Sequence, residues 1–207
     1  MVDIAHKGVN KFSSIKNYVK FKLYGVTFGS GFCVHGNIVL QLRRLSVCRI
    51  GDNFYLSSGA NINPLCANGR AVIYTEEKAS ICIGNNVGMS STVLWASKSI
   101  TIGDYVKIGA NVKIIDTDAH SLNYSMRRNR AEDTNTKSSS PIVIEDDVLI
   151  GMNSIVLKGV TIGARSIIGA GSVVVKSIPS DCIAAGNPCR VIKKINKEDH
   201  AVYRKSI

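Results

Sequence analysis

Residues 102–120 read IGDYVK-IGANVK-IIDTDA-H, and the spacing within this stretch decides the fold. Aliphatic side chains stand at Ile102, Ile108 and Ile114, and Gly103 and Gly109 follow the first two. The period is six, which is neither the twofold alternation of an isolated strand nor the period of a helix. A sustained six-residue repeat is the signature of a parallel β-helix.

Working outward, the count resumes at Ile144 and runs through Ile150, Val156, Ile162, Ile168 and Val174, with Gly at 151, 163 and 169. Four places after each aliphatic residue comes a small or β-branched one: Val106, Val112, Val148, Ser154, Val160, Ser166, Ser172. Upstream, Ile83-Gly84, Met89 and Trp95 keep the same period, then slip by one, which predicts an inserted residue near Ser97–Ser99. Six residues make one flat face and a turn, and three faces close a triangular coil of about eighteen residues. Coils then stack at the interstrand spacing of about 4.8 Å. The aliphatic position points inward, and Gly beside it is expected to let the chain turn without Cβ strain.

Three segments break the pattern. Residues 1–24 lack the repeat, and Lys11–Lys22 mixes Ile15, Tyr18, Val19 and Phe21 with lysines. This predicts a short basic amphipathic helix that caps the open end of the solenoid, with a membrane-surface contact as the lesser alternative. Residues 63–80 read as a strand pair or loop leaving the coil. Residues 121–140 form a polar excursion with no aliphatic period, placed directly after His120, where a long loop is more often functional than idle. The domain reading is therefore a cap at 1–24, a β-helix at 25–190 and a charged tail at 191–207 read as a short helix. Helix is expected only at the ends.

Composition sets the outer bounds. The chain has 207 residues, 45% hydrophobic and 20% charged, as for one globular domain, and a net charge of +11 that suits anionic partners. Nucleic acid is not expected, because no dense basic run is interleaved with aromatics. The six Cys show no CxxC pair and irregular spacing, which predicts free thiols, several of them small buried apolar residues such as Cys82 in ICIG. No signal peptide or long apolar run is visible, so a cytoplasmic location is expected.

His120 is one of four His. Strict counting puts it at an aliphatic-in position, so it is either a satisfied core His or the point where the repeat ends. The polar stretch from Ser121 favours the second and a functional role. Neutral imidazole is the side chain suited to accept a proton near neutral pH. Asp116 and Asp118 either orient the ring and bind substrate or cap a turn. Trp95, the only Trp, reads as core packing more than as a substrate platform.

The IGxxxx repeats, DTDAHSL, PIVIEDDVLIGMNSIVLKGVTIG, IGAGSVVVKSIP and AAGNPCRVIKKI together resemble the hexapeptide-repeat acyltransferases, in particular their sugar O-acetyltransferase branch, over roughly residues 83–195. The resemblance implies a left-handed parallel β-helix and a homotrimer with active sites between subunits. It implies direct acetyl transfer from acetyl-CoA to a sugar or saccharide hydroxyl, with His120 as general base and a backbone N–H near Gly151–Met152 holding the oxyanion. It places the acceptor near Asp118, Asp116 and Ser91, and acetyl-CoA against Gly151, Met152, Ala170, Lys176, Arg190, Lys193 and Lys194. No metal is expected. Ser91 stands where the galactoside enzymes have an Asn, which leaves the acceptor open; in the cofactor groove, which should survive, Leu149 replaces a Trp and Met152 a Ser. An N-acetyltransferase acting on an amino (nucleotide) sugar or other small amine and a non-catalytic repeat scaffold remain alternatives. A carbonic anhydrase on this fold would need three converging His; here His6 and His200 lie near the termini, and His35 is far from the loop.

Overall fold

The computed structural model describes residues 2–59, 62–66 and 69–196, with side chains from Phe12 onward. After helix α1 (Val2–Leu23) the chain winds through six coils of three strands each. The first coil holds β1 (Thr27–Phe28), β2 (Cys33–Gly36) and β3 (Val39–Leu42). The second holds β4 (Val47–Ile50), β5 (Tyr55–Ser58) and β6 (Val72–Thr75). The third holds β7 (Ser80–Ile83), β8 (Gly88–Ser90) and β9 (Val93–Ala96), and the fourth β10 (Ser99–Ile102), β11 (Lys107–Ala110) and β12 (Lys113–Ile115). Helix α2 (Arg130–Thr136) lies in the excursion that follows. The fifth coil holds β13 (Ile142–Ile144), β14 (Leu149–Ile150) and β15 (Ile155–Leu157), the sixth β16 (Thr161–Ile162), β17 (Ile167–Ile168) and β18 (Val173–Val174). β19 (Cys182–Gly186) and β20 (Cys189–Lys194) close the far end.

Equivalent strands of successive coils pair in parallel, so the three faces are sheets in the order β1-β4-β7-β10-β13-β16, β2-β5-β8-β11-β14-β17-β19-β20 and β3-β6-β9-β12-β15-β18. They are called sheets A, B and C here. The architecture is a left-handed parallel β-helix. Ile102, Ile108, Ile114, Ile144, Ile150, Val156, Ile162, Ile168 and Val174 all lie inside the prism. The position four residues on is also inward. Ser154, Ser166 and Ser172 there are fully buried, and each hydroxyl is spent on backbone: Ser154 Oγ and Ser172 Oγ donate to Gly169 O, and Ser166 Oγ donates to Pro179 O.

The glycines after the aliphatic residues have a different reason from the one the repeat suggests. Gly51, Gly84 and Gly103 do not take positive φ; the left-handed corner residues are Asn53, Asn86, Tyr105, Asp147 and Arg165. What excludes a side chain is the next coil. A Cβ on Gly103 would lie 2.3 Å from Asp146 Oδ1, and one on Gly84 2.3 Å from Asp104 Oδ1. Those carboxylates form a ladder down the A–B corner. Asp52 accepts Ser30 N–H at 2.6 Å, Asp104 accepts Asn85 N–H at 2.7 Å and Asp146 accepts Asp104 N–H at 2.8 Å. Coil stacking, not turn strain, demands glycine at these places.

Both ends of the prism are closed. Asn17 of α1 donates its amide to Val34 O and Gly36 O at 2.9 and 2.8 Å, Lys20 Nζ donates to Ile38 O at 2.7 Å, and Phe21 is fully buried among Phe28 and Phe32. These contacts satisfy carbonyls that the first coil leaves without a neighbour. At the other end β20 runs antiparallel to β19. Val191–Lys194 is therefore strand where the tail was read as helix, because the last edge of sheet B needs a partner; residues 197–207 lie outside the described residues.

Three further expectations are corrected. Val72–Thr75 and Ser80–Ile83 are ordinary coil strands rather than a pair leaving the coil. Helix is not confined to the ends, since α2 sits in the excursion. Cys82 faces outward from sheet A, whereas Cys48 on the neighbouring strand points inward, and burial pushes its thiol up to about 12. All six Cys are free.

Candidate active site

The repeat ends at β12. Asp116 N–H still donates to Trp95 O of the coil above, and then the chain leaves. The two stems of the excursion zip together: Ser140 N–H donates to Asp116 O and Asp118 N–H to Ser138 O, both at 2.9 Å. Ala119 adopts φ of 63°, and its N–H donates to Thr117 Oγ1 at 3.1 Å. This tight turn throws His120 out of the prism, so its side chain is 71% exposed rather than packed at the aliphatic-in position.

Asp133, which the sequence reading passed over, holds the imidazole. It lies in the first turn of α2, whose N-cap Asn129 accepts Ala131 and Glu132 N–H. Asp133 Oδ2 sits 2.7 Å from His120 Nδ1, and Oδ1 accepts Ser121 N–H at 2.7 Å. These two hydrogen bonds, the His120 one first, hold the Asp133 carboxyl below the usual carboxylate range. An ionised carboxylate has only acceptors, so Nδ1 carries the hydrogen, and in the neutral ring Nε2 is then the nitrogen left with a lone pair. Arg127 Nη1 donates to Ser121 O and Leu122 O at 2.6 and 3.0 Å, which stiffens the same turn.

The excursion is pinned to the prism at two points. Lys137, just past α2, pairs with Glu76 of the second coil at 2.6 Å. Burial pushes the Glu76 carboxyl up, but Lys137, Ser97 and Trp95 together outweigh it and leave it low. Lys158 Nζ lies 3.2 Å from Asp118 Oδ2 and 3.2 Å from Ser138 Oγ.

The expected acceptor residues divide. Asp118 lies two residues from His120, on the same turn. Asp116 is fully buried, and its carboxylate accepts Ser97 and Lys98 N–H at 2.6 and 2.7 Å. It caps the corner between β9 and β10, and burial pushes its carboxyl up against the pull of those amides. The expected single insertion near Ser97–Ser99 is not what the coil shows, since Leu94 rather than Trp95 is inward and the register already shifts between β8 and β11. Ser91 is also buried; its hydroxyl donates to Gly69 O and accepts Gly59 N–H, closing the neck of the 59–71 loop. It lies at the B–C corner, across sheet C from His120. Trp95 is not in the core. It stands half-buried on the outer face of sheet C, edge-on to Tyr74 at 5.3 Å, with Nε1 donating to Glu76.

The expected cofactor residues sit elsewhere on the same chain. Gly151, Met152 and Ala170 stack at the B–C corner of the fifth and sixth coils, where a Cβ on Gly151 would lie 2.4 Å from Ala170 N. Arg190 pairs with Ala185, which covers Gly169. Lys176 lies at the C–A corner. One chain thus carries His120 on one edge of sheet C and the Gly151–Ala170 corner on the other. Among the described residues, no three His, Cys, Asp or Glu side chains converge as a metal site would require.

Residues 141–176 match the family model described as bacterial transferase hexapeptide (six repeats). The chain is 39% identical over 135 residues to the galactoside O-acetyltransferase of Escherichia coli, covering 64% of this chain and 63% of that one. The chain is thus similar to hexapeptide-repeat acyltransferases over the coils of the prism. A second galactoside O-acetyltransferase, from Lactococcus lactis, is 41% identical over 104 residues, covering 50% of this chain and 47% of that one. The chain spans less than two thirds of the length of these two curated relatives. Among solved structures, a hexapeptide-repeat acetyltransferase of Vibrio cholerae complexed with acetyl coenzyme A matches at 38% identity and a TM-score of 0.53, covering 60% of this chain and 65% of that one. An N-acyltransferase of Bacillus cereus covers 92% of this chain and 97% of its own at a TM-score of 0.70, and at 18% identity that likeness speaks for the fold alone.

Proposed function

We propose that this chain is an acetyl-CoA-dependent O-acetyltransferase acting on a sugar or saccharide hydroxyl. The observation that carries the reading is the exposed His120 held by Asp133 through Nδ1, with Nε2 free to accept a proton. His120 Nε2 takes the hydroxyl proton, the oxygen attacks the acyl carbonyl, and the same nitrogen returns the proton to the departing thiolate. Asp133 is a positioning residue: it fixes the tautomer and stabilises the imidazolium while the proton is held. Asp118 is the carboxylate placed to meet the acceptor, whereas Asp116 and Ser91 serve the corners that hold the loop and sheet in place.

Acetyl-CoA would supply the acetyl group, already activated as a thioester. The residues fit it: Ala170 and Gly171 are exposed, a Cβ on Gly171 would meet nothing within 4 Å, and Arg190 and Lys176 offer exposed cations for phosphates. Because that corner and His120 lie on opposite edges of sheet C, one subunit does not complete the site. A second copy can, by setting its Gly151–Ala170 corner beside the first copy's His120. Such a contact is heterologous and must close into a ring, which a three-sided prism does with three copies. The outer face of sheet C supports this. Tyr74, Trp95, Ile115 and Leu157 form one apolar row along it, and Val72, Val93, Ile155 and Val173 another, broken by Lys113.

The deciding experiment is a screen of saccharide acceptors for release of CoA thiol from acetyl-CoA, comparing the wild type with His120→Ala. No acceptor-dependent release, or undiminished release by the variant, would refute the reading. Amines belong in the screen, because the chain is 50% identical over 56 residues to a tetrahydropyridine dicarboxylate N-acetyltransferase of Staphylococcus aureus.

A further inference from the structure

Helix α1 has two working faces, and the contacts with the first coil use only one. Asn17 and Phe21 turn toward the prism, and Lys20 reaches back to Ile38 O. On the opposite side Phe12, Ile15, Val19 and Leu23 are 74, 59, 49 and 81% exposed. Their spacing of three, four and four residues makes one continuous apolar stripe along the helix. Since α1 lies across the end of the prism, the stripe faces away from the body of the protein. Lys16 flanks it on one side and Lys22 on the other, both exposed, and no acidic residue occurs between Lys11 and Leu23. Tyr24, 48% exposed, extends the apolar surface at the C-terminal end.

We propose that this face seats the protein on an anionic lipid bilayer, α1 lying in the plane of the interface. An apolar stripe with lysines along both margins is the arrangement that lets apolar side chains enter the acyl boundary while ammonium groups stay at the headgroups. Nothing in it spans: among the described residues no helix is long and apolar enough to cross a membrane. The charge distribution selects this occupant over a second copy of the chain. Two such stripes placed face to face would set lysine against lysine with no acid between Lys11 and Leu23 to pair them, in a protein already at +11. Four side chains also fall well below the roughly 800 Å² per partner that a stable protein interface buries. Anionic headgroups supply the missing counter-charge.

The proposal stands on α1 alone and does not depend on the reaction assigned above. It is tested by sedimenting the whole protein with vesicles of phosphatidylcholine alone and of phosphatidylcholine with phosphatidylglycerol, at low and high salt. Binding is expected to the anionic vesicles and to weaken as salt screens it. Lys16→Gln with Lys22→Gln should weaken it by about tenfold or more. Ile15→Ser with Val19→Ser should abolish it, with CoA-thiol release in solution unchanged. Leu23→Ser, at the last residue of the helix, gives a second variant should the double one unfold by circular dichroism, and it should also weaken binding. Equal binding to neutral vesicles, no binding, or no effect of any variant would overturn the proposal. So would lipid-free, concentration-dependent association that Leu23→Ser suppresses, which would make the stripe an interface between copies.

Discussion

Asp133→Asn isolates what the carboxylate does for His120. The substitution keeps size and removes one acceptor oxygen. Two donors now depend on that carboxylate, His120 Nδ1–H and Ser121 N–H, each at 2.7 Å. An amide has one oxygen, so it can serve only one of them. If the oxygen stays with Ser121, the NH2 group faces Nδ1 and selects the tautomer whose Nε2 carries hydrogen and cannot take a proton. If it turns to His120, the Ser121 amide is orphaned and the turn loosens. Either way, the anion beside the developing imidazolium is gone. Removing the base altogether forfeits about 10²–10⁴-fold, and losing its partner should forfeit part of that, about 10- to 100-fold in kcat. KM for acetyl-CoA should hold, because its expected residues lie across sheet C. A merely structural Asp133 would lower the thermal midpoint and leave kcat per folded molecule alone. Wild-type kcat in Asp133→Asn, with the fold intact, would refute the dyad.

Four further outcomes follow from the same geometry. His120→Ala should leave the thermal midpoint nearly unchanged, since the ring is exposed, and lower turnover by about 10²-fold or more. Gly103→Ala should cost about 1–3 kcal/mol by overpacking against Asp146 Oδ1 and N at 2.3 and 2.9 Å, whereas Gly88→Ala meets only the flexible end of Lys107 and should be near neutral; thermal melts distinguish them. Leu157→Glu, on the outer face of sheet C, should convert a trimer to monomers by light scattering and abolish turnover together. The Glu76 carboxyl is lower in the folded protein than in the unfolded chain, so its pairing stabilises above the ordinary Glu range and is lost as pH falls through the folded value. Hydrogen exchange in residues 121–140 should therefore rise on acidification in the wild type and already be raised at neutral pH in Glu76→Gln.

The coils were legible because one physical requirement, an aliphatic side chain in each face, repeats at a fixed interval, and Ile102 through Val174 state it many times over. The register slip was misplaced: Leu94, not Trp95, takes the inward position, so the count already breaks after Met89, where β8 and β11 shift register. Asp116 and Ser97 are a coil apart in sequence and meet only after stacking. Asp133 was hidden in a polar excursion with no periodicity. Its local signal is Asn129 followed by Glu132, the spacing of a helix cap, which predicts α2 and would have set Asp133 on its first turn. Trp95 was misplaced by that same slip, since Leu94 fills the inward position beside it. Ser91 was misplaced because the repeat is silent on whether a corner residue faces solvent or closes a loop.

The stack has a metric consequence. His120 leaves the prism at the end of the fourth coil and α1 lies against the first, so the imidazole proposed as the base stands about 15 Å from the capped end, three rises of about 4.8 Å. That height is quantised. Duplicating the third coil, from one A–B corner to the next, would lift the chemistry by one rung without altering a residue at either site, and deleting it would lower it by one. The number of coils beneath His120 thus acts as a ruler between the base and whatever surface α1 rests on.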